Sequence, residues 1–491
     1  MTVLVTKDFR INIDHPPLAN VFDAILPKIF LDPNYFSGNE CFEKANKDCL
    51  ADRFLFEWNT DKIWEILFLA RATNLIFYLG ILILIFLVSK KLFGEISSWF
   101  AFFLAIFWPN FLSNGITITT DMASGFFSFA CFSFLILNLE NLNKKIFNIK
   151  FGILLGLGML TKYSFVSFLP IVAFAYFWKA KKPILNGAIS ALTMFFIISA
   201  GYLFQFKSWA ETPKSSRHTN WYENLKKNSS DEIRPIIKFL HEDLKTPFVY
   251  WYRGFVDNGF GQYYGTREKY SFFLGKQSTE GFKLYFLFSF FVKNTISTSL
   301  LFFYAIYFSF KKTKTSEEKL LIGTIIFYSI ILSISKINLG YRHGIIVDPI
   351  IILFISQIFK YKKFFPIFSI LIISGITSVI SKYPNIISYT NELINEKSKF
   401  YLFRSSNIEW GQDDAKIENF AKKFQKKTEK RIFIYNSNLD IEQIAKNSDS
   451  YILIGSNALS GSNPEKMEKT KILREKTPIY VLYGSWFLYE V

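Results

Sequence analysis

The amino-acid sequence predicts an α-helical polytopic membrane protein of about ten spans, followed by a small α/β domain outside the membrane. Half of the 491 residues are hydrophobic and the mean hydropathy is +0.20, which is too apolar for an ordinary soluble enzyme of this length. Charged residues still make up 20% of the chain, so sizeable aqueous parts are expected beside the spans. The same composition excludes disorder, a collagen-like chain and a small disulfide scaffold.

Residues 1–65 are predicted to form a polar first outer loop. No secretory signal peptide opens this segment, and a polar stretch of this length rarely crosses a membrane unaided. We therefore expect a further span ahead of Met1, with translocation by the first predicted span alone as the alternative. Cys41 and Cys49 lie in this loop, where they pair if it faces an oxidising compartment and otherwise remain two thiols.

Residues 66–381 are predicted to form the transmembrane domain, which includes a long outer loop at 206–284. Thr161 and Lys162 separate two short apolar runs, which are either one interrupted helix or two tilted ones. The ten candidate spans are 66–88, 97–115, 119–138, 149–161, 163–178, 183–205, 285–310, 318–335, 344–359 and 363–381.

Charge in the loops predicts the orientation of these spans. One alternating set of loops carries fifteen lysines and four glutamates, so it holds +11 of the formal net charge of +17. The lysines are Lys90, Lys91, Lys144, Lys145, Lys150, Lys179, Lys181, Lys182, Lys311, Lys312, Lys314, Lys319, Lys360, Lys362 and Lys363. By the positive-inside rule this face is cytosolic, so no nucleic-acid partner is needed to explain the basic charge.

The tail, residues 382–491, is predicted to be an external α/β domain. Short β-branched and aromatic runs alternate there with amphipathic helical stretches. The predicted order is helix 411–427, strand 431–436, helix 439–446, strand 451–456, helical stretch 464–474 and strand 478–483.

Two acidic motifs are candidate catalytic sites. Asp14 and His15 precede two prolines, so they are held on a rigid corner that either orients a substrate or simply begins a helix with a capping acid. Asp121 follows Thr119 and Thr120 at the outer end of a predicted span, where it either faces a cavity or caps the helix.

A group of cations is predicted near the outer ends of the spans. Such groups either clamp a lipid-linked phosphate or extend to the headgroups. They are Arg71, Lys162, Arg253, Arg267, Lys293 and Arg342, with His343 beside the last of them. The Gly- and aromatic-rich stretch 248–281 either stacks on sugars or lies at the membrane interface. No metal-ligand spacing is found, so no metal or cofactor is expected, although a divalent ion is left open.

A series of motifs follows in order along about residues 7–415. The motifs are DFRINIDHPPLANVFDAILP, FLAR, WPNFLSNGITITTDMASGFF, GILLGLGMLTKYS, the loop from YRGFVDNGFGQYYG to FSFFVKN, NLGYRHGIIVDPIIIL, YPNIISYTNEL and SSNIEWGQD. Together they resemble motifs of the polyprenyl-phosphate-dependent GT-C glycosyltransferases, which include protein O-mannosyltransferase-like and aminoarabinose-transferase-like membrane enzymes.

The resemblance implies a GT-C-like fold and inverting transfer of a sugar from a polyprenyl-phosphate donor to a protein, lipid or glycan acceptor. The active face and the tail would be non-cytosolic, on the plasma (inner) membrane, with membrane lipids as partners. The family's acidic motif precedes the HPPL segment and is expected ahead of Met1, so Asp14 is not clearly the base. There are two alternatives: a transporter or lipid flippase, and a non-catalytic remnant of a glycosyltransferase.

Overall fold

The computed structural model describes all residues except 213–221, 223–225, 228, 264–269, 312, 361–363, 437–438 and 448–449. The chain forms two compact units. The first contains residues 1–88, 114–266 and 314–324, and the second contains residues 89–113, 267–313 and 325–491.

The first unit is helical. The α-helices that begin in it are Thr2–Thr6, Pro17–Phe30, Glu40–Glu43, Lys47–Phe56, Ile63–Phe93, Thr120–Ile136, Lys145–Met159, Leu169–Lys179, Pro183–Gly201, Arg234–Lys238, Val249–Tyr263 and Ser316–Ile334. Leu139–Asn141 and Tyr163–Phe168 are 3-10 helices, and Phe239–Asp243 is a π-helical turn.

Small and polar residues bring two apolar helices of this unit together. A Cβ atom added to Gly152 would lie 2.5 Å from the Ser190 carbonyl oxygen, so only glycine allows this approach of Lys145–Met159 to Pro183–Gly201. The Tyr176 hydroxyl donates to Oδ1 of Asn148 at 2.8 Å, and Ser190 Oγ donates to the Asn148 carbonyl at 2.9 Å. Close backbone packing with buried polar contacts is typical of helices that associate in a membrane.

The second unit combines helices with a small sheet. Its α-helices are Glu95–Ile106, Pro109–Gly115, Tyr285–Lys293, Ile296–Phe310, Asp348–Ser356, Phe365–Ser381, Asp414–Thr428, Ile441–Asn447, Ser456–Ser460, Pro464–Glu468 and Lys471–Glu475. Its 3-10 helices are Tyr341–Ile346, Gln357–Lys360, Glu396–Tyr401 and Ser405–Asn407. A short antiparallel hairpin joins Ser271–Phe273 to Lys276–Ser278.

The tail contains a four-stranded mixed sheet. Arg431–Ile434 runs parallel to Ser450–Gly455, which pairs antiparallel with Trp486–Glu490, which in turn pairs antiparallel with Tyr480–Leu482. The helices and the three strands predicted for this segment are present. The sequence did not predict the last strand, Trp486–Glu490. Its first four residues are buried and complete the core of the sheet.

Some helices of the described chain are long and apolar enough to cross a membrane: two singly, and up to four if bent pairs are counted as spans. Among the described residues, Ile63–Phe93 and Pro183–Gly201 meet this criterion singly. Two bent pairs bring the number to four if each pair is one span: Glu95–Ile106 with Pro109–Gly115 at 57°, and Tyr285–Lys293 with Ile296–Phe310 at 118°. Thr120–Ile136, Tyr163–Lys179 and Phe365–Ser381 are shorter apolar helices. The chain is therefore mainly helical with membrane-type helices, while the count of ten spans stays a prediction.

Candidate functional site

The rigid corner predicted at the two prolines is present in the first unit. Helix Pro17–Phe30 begins at the second proline, with Pro16 at its N-cap position. Asp14, just before it, is 6% exposed, and its carboxylate forms an ion pair with the ammonium group of Lys47. Nδ1 of His15 is buried and has no hydrogen-bond partner among the described residues. The corner therefore carries an ion-paired acid and a buried imidazole.

A disulfide fixes the segment that supplies Lys47. Cys41 and Cys49 are joined, with their Cα atoms 5.7 Å apart, so the paired alternative is the one found in the structure. Between them, the side chain of Asn46 caps helix Lys47–Phe56 by accepting a hydrogen bond from the Cys49 amide at 3.2 Å. Lys47 is thus the first residue of a capped helix in a covalently closed loop.

Asp121 lies in the first turn of helix Thr120–Ile136 and is 2% exposed. Thr119 is the N-cap residue, since its hydroxyl accepts from the Asp121 amide at 3.4 Å. The Asp121 carboxylate instead meets Lys162, whose Nζ lies 2.5 Å from Oδ1. The positive end of the helix and the ammonium group of Lys162 both place positive charge beside this carboxylate.

Lys162 occupies a break between two helices. Helix Lys145–Met159 ends three residues before it, and Lys162 is the N-cap residue of Tyr163–Phe168. Within the break, the Thr161 hydroxyl donates to the Gly158 carbonyl at 2.6 Å. The two short apolar runs of the sequence are therefore separate helices. Because the helix is broken here, the side chain of Lys162 reaches Asp121.

Two hydrogen bonds to main-chain carbonyls hold this break against the proline corner. The Tyr163 hydroxyl donates to the Ile13 carbonyl at 3.0 Å, and the Leu18 amide donates to the Leu160 carbonyl at 2.9 Å. These bonds use polar groups that would otherwise be buried without a partner. They fix the positions of His15 and Lys162 relative to each other.

Helix Val249–Tyr263 covers the same junction. Asn258 Nδ2 donates to the Asp14 carbonyl at 3.2 Å. A Cβ atom added to Gly254 would lie 1.9 Å from the Tyr163 hydroxyl and 2.5 Å from the Ile13 carbonyl oxygen. Glycine at this position is therefore required for the helix to approach the corner.

The charges of this region act on His15. Burial and the positive charge of Lys162 lower the pKa of His15 to about 4, with Asp14 and Asp121 opposing the shift and Lys47 adding to it. His15 is therefore neutral at neutral pH. We call Asp14, His15, Lys47, Asp121 and Lys162 the Asp14–Asp121 cluster. It holds two carboxylates, two ammonium groups and a neutral imidazole.

Two further predicted cations of the first unit lie in different surroundings. Arg253 is 3% exposed, its Nε lies 3.6 Å from Oδ2 of Asp257, and its Nη1 donates to the Thr212 carbonyl at 3.2 Å. Burial lowers the pKa of Arg253, and the charge of Asp257 opposes the shift. Arg71 is exposed on helix Ile63–Phe93. Arg267 lies outside the described residues.

The remaining predicted residues belong to the second unit. Lys293 is 7% exposed, and its ammonium group donates to the carbonyls of Ile387 at 2.8 Å and Asn407 at 2.5 Å. The guanidinium carbon of Arg342 lies 4.3 Å from the ring centre of Trp410. His343 approaches Phe286, with ring centres 6.4 Å apart.

Several polar residues of these sites were not among the predicted ones. No local sequence pattern singles out three of them, because each contacts its partner only through a long-range contact. They are Lys47, Tyr163 and Asn258. Asp348 did give a local signal, as an acid within an apolar run. Asp348 is fully buried, and the hydroxyl of Tyr341 donates to its carboxylate at 2.5 Å.

No metal centre is found within the described part of the chain, where no three His, Cys, Asp or Glu side chains come together as possible ligands.

Apolar helices of spanning length indicate an integral membrane protein. The buried cluster of paired charges is a polar site within its first unit. Residues 56–201 match the family model of dolichyl-phosphate-mannose-protein mannosyltransferases. This match confirms the resemblance to the GT-C glycosyltransferases and indicates glycosyltransferase function in general. No curated protein and no solved structure matches the chain. Of the cluster, the matched segment contains Asp121 and Lys162.

Proposed function

We propose that this chain transfers a sugar from a polyprenyl-phosphate donor to an acceptor hydroxyl on the non-cytosolic face of the plasma membrane. The observation that carries the proposal is the Asp14–Asp121 cluster, in which each of two buried carboxylates is paired with a lysine. The family match supports the class of reaction. The lysine-rich loops of the opposite face support the orientation.

The reaction needs one group that takes a proton and one that stabilises a leaving phosphate. In inverting transfer, the acceptor oxygen attacks the anomeric carbon while the bond to the phosphate oxygen breaks, and the electron pair leaves with the phosphate. Asp121 or Asp14 accepts the acceptor's proton as general base. Lys162 and Lys47 neutralise the developing phosphate charge.

The exposure of the paired groups suggests the order of events. The side chain of Lys162 is 13% exposed and that of Asp121 is 2% exposed, and the corresponding values for Lys47 and Asp14 are 29% and 8%. An incoming phosphate therefore meets the ammonium groups first. When a lysine turns to the phosphate, its carboxylate loses its counter-ion and becomes a stronger base.

The other predicted cations complete the proposal as phosphate or sugar ligands. Arg253 is the most constrained of those in the first unit, because Asp257 and Thr212 hold its guanidinium. In the second unit, Arg342 stacks on Trp410, and a guanidinium group carries N–H donors in a planar fork that matches the oxygens of a phosphate. Arg71, Arg267, Lys293 and His343 are further candidates for this role.

The proposal is tested with membranes from cells that express this chain, supplied with radiolabelled polyprenyl-phosphate mannose. We expect label to pass to a protein, lipid or glycan fraction. Asp121→Asn and Lys162→Met are expected to reduce the rate by about a hundredfold or more, as for loss of a general base or of a phosphate ligand.

Exposed residues of the same types provide matched controls. Asp61→Asn and Lys181→Met remove the same charges from exposed positions, so transfer should persist in both variants. Transfer that is equal in the wild type and in both cluster variants would refute the role of the cluster. No transfer by the well-folded wild-type chain with mannose or pentose donors would favour the non-catalytic remnant.

A further inference from the structure

A polar pocket lies in the second unit, where the last apolar helix, Phe365–Ser381, leads into the tail. Its volume is about 250 Å³. Residues from the helix end, from the following segment and from the turn between two strands of the tail line it. They are Ser381, Lys382, Tyr383, Asn385, Ser388, Tyr389, Glu396, Lys399, Val481, Tyr483 and Gly484. None of them belongs to the Asp14–Asp121 cluster.

The charged groups of the pocket leave a positive excess. Glu396 bridges two ammonium groups, with Oε1 2.7 Å from Nζ of Lys382 and Oε2 2.6 Å from Nζ of Lys399. Burial opposes ionisation of Glu396, but the two lysines outweigh it and lower the pKa of its carboxyl. Asp413, whose charge also reaches Lys399, is paired with Lys416 at 3.2 Å. One glutamate therefore balances two lysines.

The backbone is shaped around one of these lysines. Gly484 has a φ of +73°, and a Cβ atom there would lie 2.8 Å from Nζ of Lys399 and 2.3 Å from Oγ of Ser388. The same ammonium group donates to the Ser388 carbonyl at 3.1 Å, and its side chain is 1% exposed. A buried, rigidly held cation at the wall of an open polar pocket is a feature of anion sites.

The rest of the lining is suited to hydroxyl groups. Ser381, Asn385 and Ser388 supply polar atoms, and Tyr383 is 76% exposed at the helix end. Aromatic faces stack on the apolar faces of sugar rings, while lysines bind their anionic substituents. An apolar ligand would remove water from these polar groups without giving them a new hydrogen bond, at a cost in free energy.

We propose that this pocket binds an anionic, hydroxyl-rich group, namely a sugar that carries a phosphate or a carboxylate. The same chemistry occurs in a phosphoglycerol lipid headgroup, and the pocket begins at the end of an apolar helix. Binding at this pocket can be measured without a polyprenyl-phosphate sugar donor. Its test is therefore independent of the test of sugar transfer at the cluster.

The test uses the full chain in nanodiscs of zwitterionic phosphatidylcholine, titrated calorimetrically with glucose 6-phosphate, glucuronate and uncharged glucose. We expect saturable binding of the two anionic sugars and binding of glucose that is weaker by about tenfold or more. Lys382→Gln removes the surplus charge and should weaken binding of the anionic sugars by about tenfold. Lys466→Gln removes an exposed lysine of the tail and should not change it.

A second bilayer distinguishes the two sources of the ligand. If phosphatidylglycerol in the nanodisc weakens binding of glucose 6-phosphate in the wild type but not in Lys382→Gln, a lipid headgroup occupies the same anion site, which supports the proposal. Unchanged melting temperatures show that the variants are folded. No saturable binding of either anionic sugar in phosphatidylcholine, or equal binding by wild type and Lys382→Gln, would overturn the proposal.

Discussion

The Nζ atom of Lys162 lies 2.5 Å from Oδ1 of Asp121, although the two residues are 41 positions apart in the sequence. One stands at a break between two apolar helices and the other in the first turn of a third. Both are largely buried, so each depends on the other for the stability of its charge.

Replacing Lys162 by methionine is expected to lower the free energy of unfolding by about 3–5 kcal/mol, because it leaves the Asp121 carboxylate buried without its counter-ion. The change is measured by unfolding in detergent. The double variant Asp121→Asn/Lys162→Met should be more stable than Lys162→Met alone, since the uncompensated charge is gone. Strictly additive losses would show that the two residues are not coupled.

Gly254→Ala is expected to destabilise the chain by about 1–3 kcal/mol, because the added methyl group meets the Tyr163 hydroxyl and the Ile13 carbonyl. Thermal unfolding measures the loss. Gly259→Ala is the matched control on the same helix, where nothing lies within 4 Å of the added carbon. That variant should be neutral or more stable, by up to about 1 kcal/mol from helix propensity. Equal effects of the two substitutions would contradict the close packing at Gly254.

The stability of the folded chain should depend on pH through His15. Its pKa is about 4 in the folded chain, against 6.5 for an unperturbed histidine. Between these values the unfolded chain binds more protons than the folded chain, so stability rises with pH across this window and is fully present above 6.5. In the variant His15→Asn, the melting temperature should depend less on pH over the same window. An unchanged slope in that variant would assign the pH dependence to other groups.

Loss of the Cys41–Cys49 disulfide should cost about 2 kcal/mol of stability, the scale for a loop of this size. It should also reduce sugar transfer, because the closed loop positions Lys47 against Asp14. The melting temperature and transfer rate of the wild type are measured with and without reductant. The double variant Cys41→Ser/Cys49→Ser should behave like the reduced wild type and show no further response. A fully reduced wild type with unchanged stability and activity would refute the structural role of the bond.

Periodicity and composition predicted most of the elements. Apolar runs gave the helices, and short aromatic and β-branched runs gave three of the four strands in the tail. The strand Trp486–Glu490 was missed because it follows the strand Tyr480–Leu482 after a turn of only three residues. The predicted span 285–310 is a single apolar run in the sequence, but it contains a sharp bend in the structure. Hydropathy could not predict the bend, because it reports the apolar character of a segment and not its direction.

Four of the five residues of the cluster were predicted as site candidates, but their pairings were not. Asp14 and His15 stood out because the two prolines after them hold the backbone in a rigid corner. Asp121 and Lys162 stood out because charged groups at the ends of apolar helices are costly unless they have partners or a function. Lys47 did not stand out, since it lies in a polar loop where a lysine is unremarkable. Its importance arises from an ion pair across 33 residues, which no local pattern encodes.

The sequence by itself determined a membrane-type helical chain, and it predicts an orientation from the lysines and the residue types of a candidate glycosyl-transfer site. These properties depend on local hydropathy and charge, which are read one segment at a time. Only the tertiary structure decided that each carboxylate of the cluster has its own lysine, that His15 is neutral and that a separate cationic pocket opens at the tail. These features depend on distances and burial between segments far apart in sequence, which folding alone sets.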